Sequence, residues 1–246
     1  MLFADYHTHT CFSHGTGTPE ENVQAALQRG LCAIAISEHG PAHMFYGVRK
    51  EKLLALRREV DRLAAKYAGK IQVLMGIECN LTGFGQCDLP QDPGLPPFDV
   101  ILLAYHKGVF PRDGFCCARS LEAMAHGRPD PVRTANALLA AGERYRVHMF
   151  SHPGLYVAAD IPTLAKGARE LGILLEINAA RVTMTQDQLR QAAAAGAGLV
   201  IGSDAHAPER VGEFRLALQA AQEAGVLDQV RNWRPDTDPN QGGYSL

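Results

Sequence analysis

The chain has 246 residues, of which 46% are hydrophobic and 20% are charged, and this ordinary balance excludes an intrinsically disordered protein. Its formal net charge of −2 excludes the overall basic field that drives nonspecific binding to nucleic acid. No apolar run approaches the roughly 20 residues that span a bilayer, and the N-terminal sequence lacks a secretory signal, so we expect a cytoplasmic protein.

Seven short apolar runs predict β-strands that are buried on both faces. The runs are rich in Ile, Val, Leu or Phe and nearly continuous in apolar character, as in parallel sheets that helices cover on both sides. In chain order, the predicted strands span residues 2–6, 33–37, 72–77, 100–104, 147–150, 173–177 and 199–201.

Amphipathic stretches between these runs predict α-helices. The first has the clearest beginning, because Thr18 is a suitable N-cap, Pro19 occupies the first helical position and two glutamates follow in the first turn. Gly30 is a natural end for this helix. In chain order, the predicted helices span residues 19–29, 51–67, 131–144, 161–171, 186–195 and 209–224.

The alternation of strand and helix predicts an α/β fold with a parallel sheet. Seven strands suggest closure into a barrel, although the pattern alone also permits an open, doubly wound sheet. The sequence has neither a glycine-rich dinucleotide fingerprint after the first strand nor a P-loop, which weakens the open nucleotide-binding alternatives. Because we find no long linker or internal repeat, we expect residues 1–246 to form a single domain. Residues 87–97 are expected to form an irregular loop, and the polar tail 232–246 is expected at the surface.

Polar side chains that can bind metal follow the apolar runs at the carboxyl ends of the predicted strands. The first strand ends in His7 and His9, which are two residues apart and therefore project from the same face, with Asp5 behind them. Parallel strands bring their carboxyl ends to one rim, where ligands bind in barrels and open sheets alike. The seven strand ends therefore converge on one predicted site.

Imidazoles and carboxylates gathered at one site require cations, because the carboxylates would otherwise repel one another and ring nitrogens would stay unpaired. Nitrogen and oxygen ligands suit Zn, Mn or Fe, and there are enough of them for two to three divalent ions. Glu78 is a natural bridge between two ions, and Asp5 is a candidate for a carboxylate that orients a ligand histidine. The candidate ligands are His7, His9, His14, His39, Glu78, His106, His152, Asp204 and His206.

The remaining histidines and the cysteines have simpler expected roles. We expect His43 and His126 to lie in loops and His148 to lie inside a strand, each as a structural or surface residue. The six cysteines are expected to be free thiols, because the sequence shows neither an export signal nor a CxxC pair.

The ordered set of motifs resembles the PHP superfamily, the polymerase and histidinol phosphatase metallohydrolases. The motifs are HTHT at 7–10, SEHG at 37–40, GIECN at 76–80, His106, SHPG at 151–154 and GSDAH at 202–206. The resemblance implies a distorted (β/α)7 TIM-like barrel with a trinuclear metal site, and it is greatest to the small stand-alone phosphatases of the superfamily.

The resemblance also implies how the ligands divide among three ions, with one carboxylate bridging two of them. The implied sets are His7, His9, Glu78 and Asp204 for the first ion; Glu78, His106 and His152 for the second; and His14, His39 and His206 for the third. No member of these sets is missing, so the sequence gives no sign of a catalytically inactive copy.

Together these features predict a metal-dependent hydrolase that cleaves phosphate monoesters of a small molecule. Metals held about 3.5–4 Å apart can clamp a phosphoryl group and activate water as hydroxide for in-line attack. We expect Glu78 and Asp204 to take part in catalysis, and Arg181 to bring a positive charge to the phosphoryl oxygens, with Lys107 as the second candidate for that charge. The substrate class stays open between a sugar phosphate, an amino-alcohol phosphate and a nucleotide.

Three other functions stay open at this point. A phosphodiesterase or nuclease would use the same metals; the nearly neutral charge argues against a nucleic-acid partner, whereas the arginines within residues 112–133 argue for one. The second alternative is a histidinol-phosphate phosphatase, and the third is a noncatalytic binding module that metal stabilises. Residues 110–131 depart from the compact pattern of the superfamily, so we expect this segment to change the rim of the site.

Overall fold

Eight β-strands form within the part of the chain that the computed structural model describes, residues 1–95 and 97–234. They are β1 (Ala4–Thr8), β2 (Ala33–His39), β3 (Gln72–Gly83), β4 (Gln86–Cys87), β5 (Val100–Ala104), β6 (Met149–Phe150), β7 (Leu174–Asn178) and β8 (Leu199–Gly202). Each of the seven predicted strands overlaps one of these strands, and β4 is an additional strand.

Seven of the strands run parallel in the order β1-β2-β3-β5-β6-β7-β8. The two ends of this sheet approach each other, because Thr8 pairs with Ala205 just beyond β8 and the His9 amide donates to the Ala205 carbonyl at 2.8 Å. The sheet is therefore nearly closed into a distorted (β/α)7 TIM-like barrel. The predicted barrel is confirmed, and the open, doubly wound alternative is wrong.

Seven α-helices form within the same described residues, and among them no helix is both long and apolar enough to cross a membrane. The helices are α1 (Pro19–Gln28), α2 (Lys50–Lys66), α3 (Gly114–Ala123), α4 (Pro131–Tyr145), α5 (Ile161–Leu171), α6 (Gln186–Ala194) and α7 (Arg215–Ala224). Helix α1 begins as predicted: the Thr18 hydroxyl accepts from the Glu21 amide at 3.2 Å, and the Glu21 carboxylate accepts from the Thr18 amide at 2.7 Å.

Two helices differ from the prediction. Helix α7 begins at Arg215 rather than near residue 209, because Pro208–Arg210 form a 3-10 helix and Gly212 follows with a left-handed φ of 72°. Helix α3 was not predicted; it lies in the unusual segment 110–131, where the Asp113 carboxylate caps it by accepting from the Cys116 amide at 2.8 Å.

Strand β3 extends six residues further than predicted, because its end pairs with β4 in an antiparallel hairpin. Glu78 therefore lies inside a strand rather than just beyond one. It still lies at the carboxyl end of the barrel, since its partner on the neighbouring strand is His39, the last residue of β2. The loop expected over 87–97 begins one residue later, because Cys87 belongs to β4.

The predicted surface tail begins with a buried residue, Asn232. The Asn232 side chain donates to the Ala4 carbonyl at 2.9 Å and to the Ile201 carbonyl at 2.7 Å, and it accepts from the Ile201 amide at 3.0 Å. Asn232 therefore joins the first and last strands of the barrel, and the expectation of a surface position is wrong for this residue. Residues 235–246 of the predicted tail lie outside the described residues.

The barrel interior has an apolar layer beneath its polar carboxyl end. This layer contains strand residues and their neighbours but no helix residue: Phe3, Ala4, Tyr6, Ala33, Ala35, Val100, Leu102, Met149 and Val200. The pairing of β1 with β2 shifts register between Asp5 and Thr8, which pair with Ile34 and Ile36, both packed outward. Asp5 and His7 consequently lie on opposite faces of the sheet in spite of their two-residue spacing.

Candidate metal centre

Glu78 lies at the centre of a buried cluster of histidines at the carboxyl end of the barrel. Its carboxylate oxygens are within 3.6 Å of ring nitrogens of five histidines, which come from four strands or strand ends, and Glu78 itself is fully buried. The distances are 3.3 Å to His7 Nε2, 3.6 Å to His9 Nε2, 3.1 Å to His39 Nδ1, 3.3 Å to His106 Nε2 and 2.8 Å to His152 Nε2. Although burial raises the pKa of Glu78, the charges of His106 and His7 outweigh it and hold the pKa well below its ordinary value.

A second carboxylate, Asp204, faces the histidine pair of the first strand. The ring nitrogens His7 Nε2 and His9 Nε2 lie 3.1 Å apart, and Asp204 Oδ1 is 3.5 Å from the first and 3.4 Å from the second. These distances bring two nitrogens and one oxygen around a common point, as ligands of one cation require. The predicted shared face of His7 and His9 is confirmed.

The other predicted ligands complete the cluster through ring contacts. The ring of His9 stacks on those of His39 and His206, each at a centroid distance of 4.4 Å, and the ring of His14 lies 4.8 Å from His39 and 4.2 Å from His206. Four overlapping groups have ligand atoms within 4.8 Å of one another: His9, His39 and His206; His7, His9 and Asp204; His7, Glu78 and His152; His39, Glu78 and His106. His14 adjoins these groups without belonging to one.

Buried polar atoms without a hydrogen-bond partner indicate whether these residues suit a metal ion. Among the described residues, His9 Nδ1 and His14 Nδ1 have no hydrogen-bond partner, although each is buried. An unpaired buried polar atom costs about 1–3 kcal/mol, and a bound cation would remove that cost. Burial, with the nearby charges of His206 and His39, lowers the pKa of His14 to about 3, so its ring is neutral and able to bind metal near pH 7. The donor set therefore fits divalent metal ions.

Three side chains behind the ligands fix their orientation. His7 Nδ1 donates to Glu176 Oε1 at 2.7 Å, and His106 Nδ1 donates to Asn80 Oδ1 at 2.8 Å, which leaves Nε2 of both rings facing the centre. The Ser151 hydroxyl donates to Glu78 Oε1 at 2.8 Å. The pKa of His7 is lowered by burial but raised more by the charges of Glu176 and Glu78, so it lies well above its ordinary value.

The orienting carboxylate is Glu176 rather than the predicted Asp5. The Asp5 carboxylate accepts from the backbone amides of Ser203 at 3.1 Å and Gly212 at 2.9 Å, because the register shift in β1 turns it away from the rings. The available signal for Glu176 was its position at the end of a predicted strand, but its contact with His7 joins residues 169 positions apart.

Glu38 anchors the loop that carries His14. Its buried carboxylate accepts from the hydroxyls of Thr10 and Ser13 and, at 3.0 Å, from the Thr10 amide. Burial raises the pKa of Glu38 to about 7, against the opposing effect of these hydrogen bonds. This anchor explains how a loop residue reaches the cluster although no strand positions it.

Two of the predicted ligands have a strained backbone. His152 and Asp204 have φ values of 31° and 51°, in the left-handed region that residues with a side chain rarely adopt. Such a conformation costs of order 1–3 kcal/mol and is concentrated at functional sites. His152 is held there by its amide, which donates to Glu176 Oε2 at 2.8 Å, and Asp204 Oδ2 accepts from Asn178 Nδ2 at 3.1 Å.

A cavity of about 390 Å³ opens onto the cluster. Glu78, Asp204 and five of the histidines form its floor, and its mouth is lined by His43, Phe45, Tyr46, Lys107, Gly108, Leu155 and Tyr156. The volume is within the range of about 300–1,000 Å³ that is usual for small-molecule sites.

The two predicted cationic residues differ in their relation to this cavity. Lys107 lines the mouth, and its Nζ lies 5.4 Å from the ring centroid of Tyr156. Arg181 is exposed and is not among the lining residues that the structure describes, although its charge opposes the effect of burial on the pKa of Tyr156. The cavity therefore favours Lys107 over Arg181.

The unusual segment 110–131 lies beside the cavity mouth rather than in it. Buried Arg119 pairs with Glu122 at 2.7 Å, and Glu122 Oε1 accepts from the Ala158 amide at 2.7 Å, next to the loop that carries Leu155 and Tyr156. The segment thus contacts a wall of the mouth from outside. All six cysteines of the chain are free, as predicted.

The three histidines that were not predicted as ligands have separate positions. His126 is exposed, and His148 lies just before β6 rather than inside a strand, where its Nδ1 accepts from the Ile101 amide at 3.0 Å. His43 is buried in a loop next to the metal centre, with its ring 5.5 Å from that of His39. Sequence reasoning gave no signal for its place at the cavity mouth.

Comparisons with known proteins agree with this fold. The sequence pattern of the PHP domain matches residues 5–150. A probable phosphatase of Thermoanaerobacter sp. (strain X514) is 28% identical over 246 residues, which cover 93% of this chain and 89% of the relative. A probable phosphatase of Shewanella sediminis is 30% identical over 236 residues, which cover 89% of this chain and 85% of the relative.

A similar solved structure supports the fold. Histidinol phosphate phosphatase from Lactococcus lactis, in complex with zinc, L-histidinol and phosphate, superposes with a TM-score of 0.62 at 17% identity, over 93% of this chain and 94% of that protein. At this identity the superposition supports the barrel alone, whereas the PHP match spans more than half of the chain. We conclude that the chain belongs to the PHP domain family and is a hydrolase of the phosphatase class.

Proposed function

We propose that this protein is a metal-dependent phosphatase that releases inorganic phosphate from monoesters of small molecules, with residues 1–246 acting as a single PHP-type domain. The observation that carries the proposal is the position of Glu78, whose two oxygens face ring nitrogens of five histidines and which itself lies on the floor of a small-molecule cavity. A buried carboxylate among so many ring nitrogens is suited to bridging cations.

The proposed centre holds two to three divalent ions, which we propose to be Zn, Mn or Fe. We propose the ligand sets of the superfamily: His7, His9, Glu78 and Asp204; Glu78, His106 and His152; His14, His39 and His206. The contacts of His7 and His9 with Asp204, and those of Glu78 with His106 and His152, support the first two sets. The ring contacts of His14 with His39 and His206 support the third.

When bound, the ions supply Lewis acidity and an activated water for attack on phosphorus. The residues of the chain position these components. Glu176 and Asn80 hold the rings of His7 and His106, and Ser151 holds Glu78 by its hydroxyl. Lys107 is placed at the mouth to meet phosphoryl oxygens as negative charge develops on them, and Arg181 is the second proposed residue for that role.

The arginines of residues 112–133 give no support to a nuclease. Arg119 is buried and paired with Glu122, and Arg133 lies over the rings of Phe84 and Phe115 at 6.0 and 5.5 Å. None of the four arginines of residues 112–133 lines the described cavity, so they do not add to it a basic groove that tracks a nucleic-acid backbone. We therefore retain the phosphomonoesterase as the single proposed function.

The proposal is tested by metal analysis and a substrate panel. We expect the purified protein to contain more than one equivalent of divalent metal and to release phosphate from small monoesters, and Glu78→Ala to lose more than one ion and that activity. Glu170→Ala, which changes an exposed glutamate on α5, is the matched control and should behave as the wild type. A metal-loaded protein that cleaves a single-stranded oligonucleotide but no monoester, or neither, would overturn the proposal.

A further inference from the structure

The mouth of the cavity has an aromatic wall that the phosphatase chemistry itself does not require. Phe45 and Tyr46 line the cavity, yet Phe45 is 77% exposed and Tyr46 is 40% exposed. Exposed aromatic side chains beside a concave polar site indicate a surface that becomes covered when a ligand binds. Tyr46 also stacks on the ring of His14, at a centroid distance of 4.0 Å and an interplanar angle of 15°, so the wall is continuous with the metal centre.

His43 holds this wall in place. Its Nδ1 accepts from the amides of Phe45 and Tyr46 at 3.4 and 3.2 Å, and the Lys107 backbone is a further hydrogen-bond partner of the ring. The loop after β2, which carries Phe45 and Tyr46, is also joined directly to the loop after β5, which carries Lys107, because the Met44 amide donates to the Gly108 carbonyl at 2.9 Å. With its ring committed to the backbone of both loops, His43 acts as a positioning residue, and the aromatic wall is formed before a ligand arrives.

The opposite wall and the charge of the mouth limit what the ligand can be. Leu155 and Tyr156 face the cavity from the loop after β6, and Lys107 supplies a positive charge beside Tyr156. Of the described residues that line the cavity, the acidic ones are Glu78 and Asp204, and both lie among the predicted metal ligands on the floor. A substrate ammonium group would therefore meet Lys107 and the metal ions without an acidic partner of its own.

From these features we infer that the organic group of the substrate carries a flat aromatic or heteroaromatic ring and no ammonium group. The ring lies between the Phe45 and Tyr46 wall and the Leu155 and Tyr156 wall, while the phosphate enters the metal centre. This inference rests on the proposed phosphatase function and narrows its substrate class, because it disfavours amino-alcohol phosphates, which carry an ammonium group, and sugar phosphates, which have no aromatic ring to stack.

The test compares three primary alkyl monoesters that differ in one group: 2-phenylethyl, 2-cyclohexylethyl and 2-aminoethyl phosphate. With the metal-loaded protein we expect kcat/KM for 2-phenylethyl phosphate to exceed that for 2-aminoethyl phosphate by about tenfold or more, with the cyclohexyl ester between them. A rate for the amino ester equal to or above that of the phenyl ester would overturn the inference. Equal rates for the phenyl and cyclohexyl esters would overturn the requirement for a flat ring.

The variant Phe45→Ala tests whether the aromatic wall causes the preference for the phenyl ester. Because Phe45 is exposed, its removal should leave the fold intact; we expect a KM increase of about fivefold or more for the phenyl ester, a nearly constant kcat, and no change for the amino ester. The matched control is Phe110→Ala, which removes a 65% exposed phenylalanine that does not line the described cavity. An equal loss on both esters would contradict the assignment.

Binding of nonhydrolysable analogues separates this inference from the phosphatase proposal. Titration calorimetry of the metal-loaded protein with 2-phenylethylphosphonate and 2-aminoethylphosphonate should show the same preference without turnover. If the phenyl analogue binds more tightly but no ester is hydrolysed, the wall is supported and the phosphatase proposal fails. If esters are hydrolysed and the two analogues bind equally, the phosphatase proposal stands and the aromatic inference fails.

Discussion

The two ends of the barrel interior are built from the same strands but from opposite kinds of side chain. Toward the amino ends, β2 contributes Ala33 and Ala35, and its neighbours contribute other apolar groups. At the carboxyl ends, the same strands contribute His39 and Glu78, which are buried to a similar degree. Apolar residues need only a matching volume, whereas buried charged residues need specific partners, so one end can stabilise the fold while the other remains specialised for chemistry.

Removal of metal should have the largest effect on activity, because the proposed chemistry at the polar end depends on the bound ions. We expect a strong chelator to abolish phosphate release and added divalent ions to restore it. Loss of each ion that was present at a hundred times its Kd should also lower the free energy of unfolding by about 2.7 kcal/mol. Activity assays with calorimetric melting curves check both effects. Unchanged activity and melting temperature after verified removal of metal would contradict a metal-binding role for the polar end.

Substitution in the apolar layer should lower the stability of the protein without changing its metal content or kcat. We expect Met149→Ala to lower the free energy of unfolding by about 2–5 kcal/mol, because it opens a cavity at a site that is 1% exposed. The metal content and kcat of the molecules that remain folded should not change. Urea unfolding and metal analysis measure this, with the exposed Met124→Ala as control. Loss of metal from folded Met149→Ala protein would show that the two ends are not separable.

The residues behind the predicted ligands should give a smaller effect, on metal binding and on the backbone that they hold. We expect Glu176→Ala to reduce metal affinity or activity by about 10–100-fold, since His7 loses the acceptor that fixes its ring. Glu176→Gln keeps an oxygen for His7 Nδ1 and should recover part of the loss. Metal titration with a competing chelator is the direct measurement, and equal behaviour of the two variants would argue against an orienting role.

The smallest effect should come from the cation at the mouth. We expect Lys107→Ala to raise KM by about two- to fivefold, because an exposed charge that meets phosphate is partly screened by solvent. Arg181→Ala should change KM by less than about twofold, as its side chain does not line the described cavity. Steady-state kinetics at low and high salt distinguishes the two variants, and a larger effect at Arg181 would return the role to that residue.

Most of the polar end could be predicted from sequence because strand periodicity and parallel pairing are local rules. His7, His9, His39, His106 and His152 all meet Glu78 for this reason. Contacts that depend on distant segments were beyond such rules. Glu176 gains its role only when β7 approaches β1, and Asp5 loses its expected role through a register shift that no pattern in β1 reveals.

The structure also differs from the prediction in loops and at the start of a helix. The helix α3 depends on a cap by Asp113 within a segment rich in arginine and cysteine, where apolar periodicity is weak. The aromatic wall depends on the backbone hydrogen bonds of His43, which fix a loop whose sequence alone gives no regular period. These are features of tertiary structure, and propensity has little influence on them.

The hydrogen bonds of Asn232 have a consequence for when the barrel can form during synthesis of the chain. The Asn232 amide joins the Ala4 carbonyl to the end of the barrel across 228 positions of sequence. At about 5–20 residues per second, a ribosome needs roughly 10–45 s to add that length of chain. His7 contacts Asp204 and His9 contacts His206, and each of these partners follows 197 positions later in the chain. We therefore expect the proposed metal centre to form when the barrel is nearly complete rather than when its first ligands are synthesised.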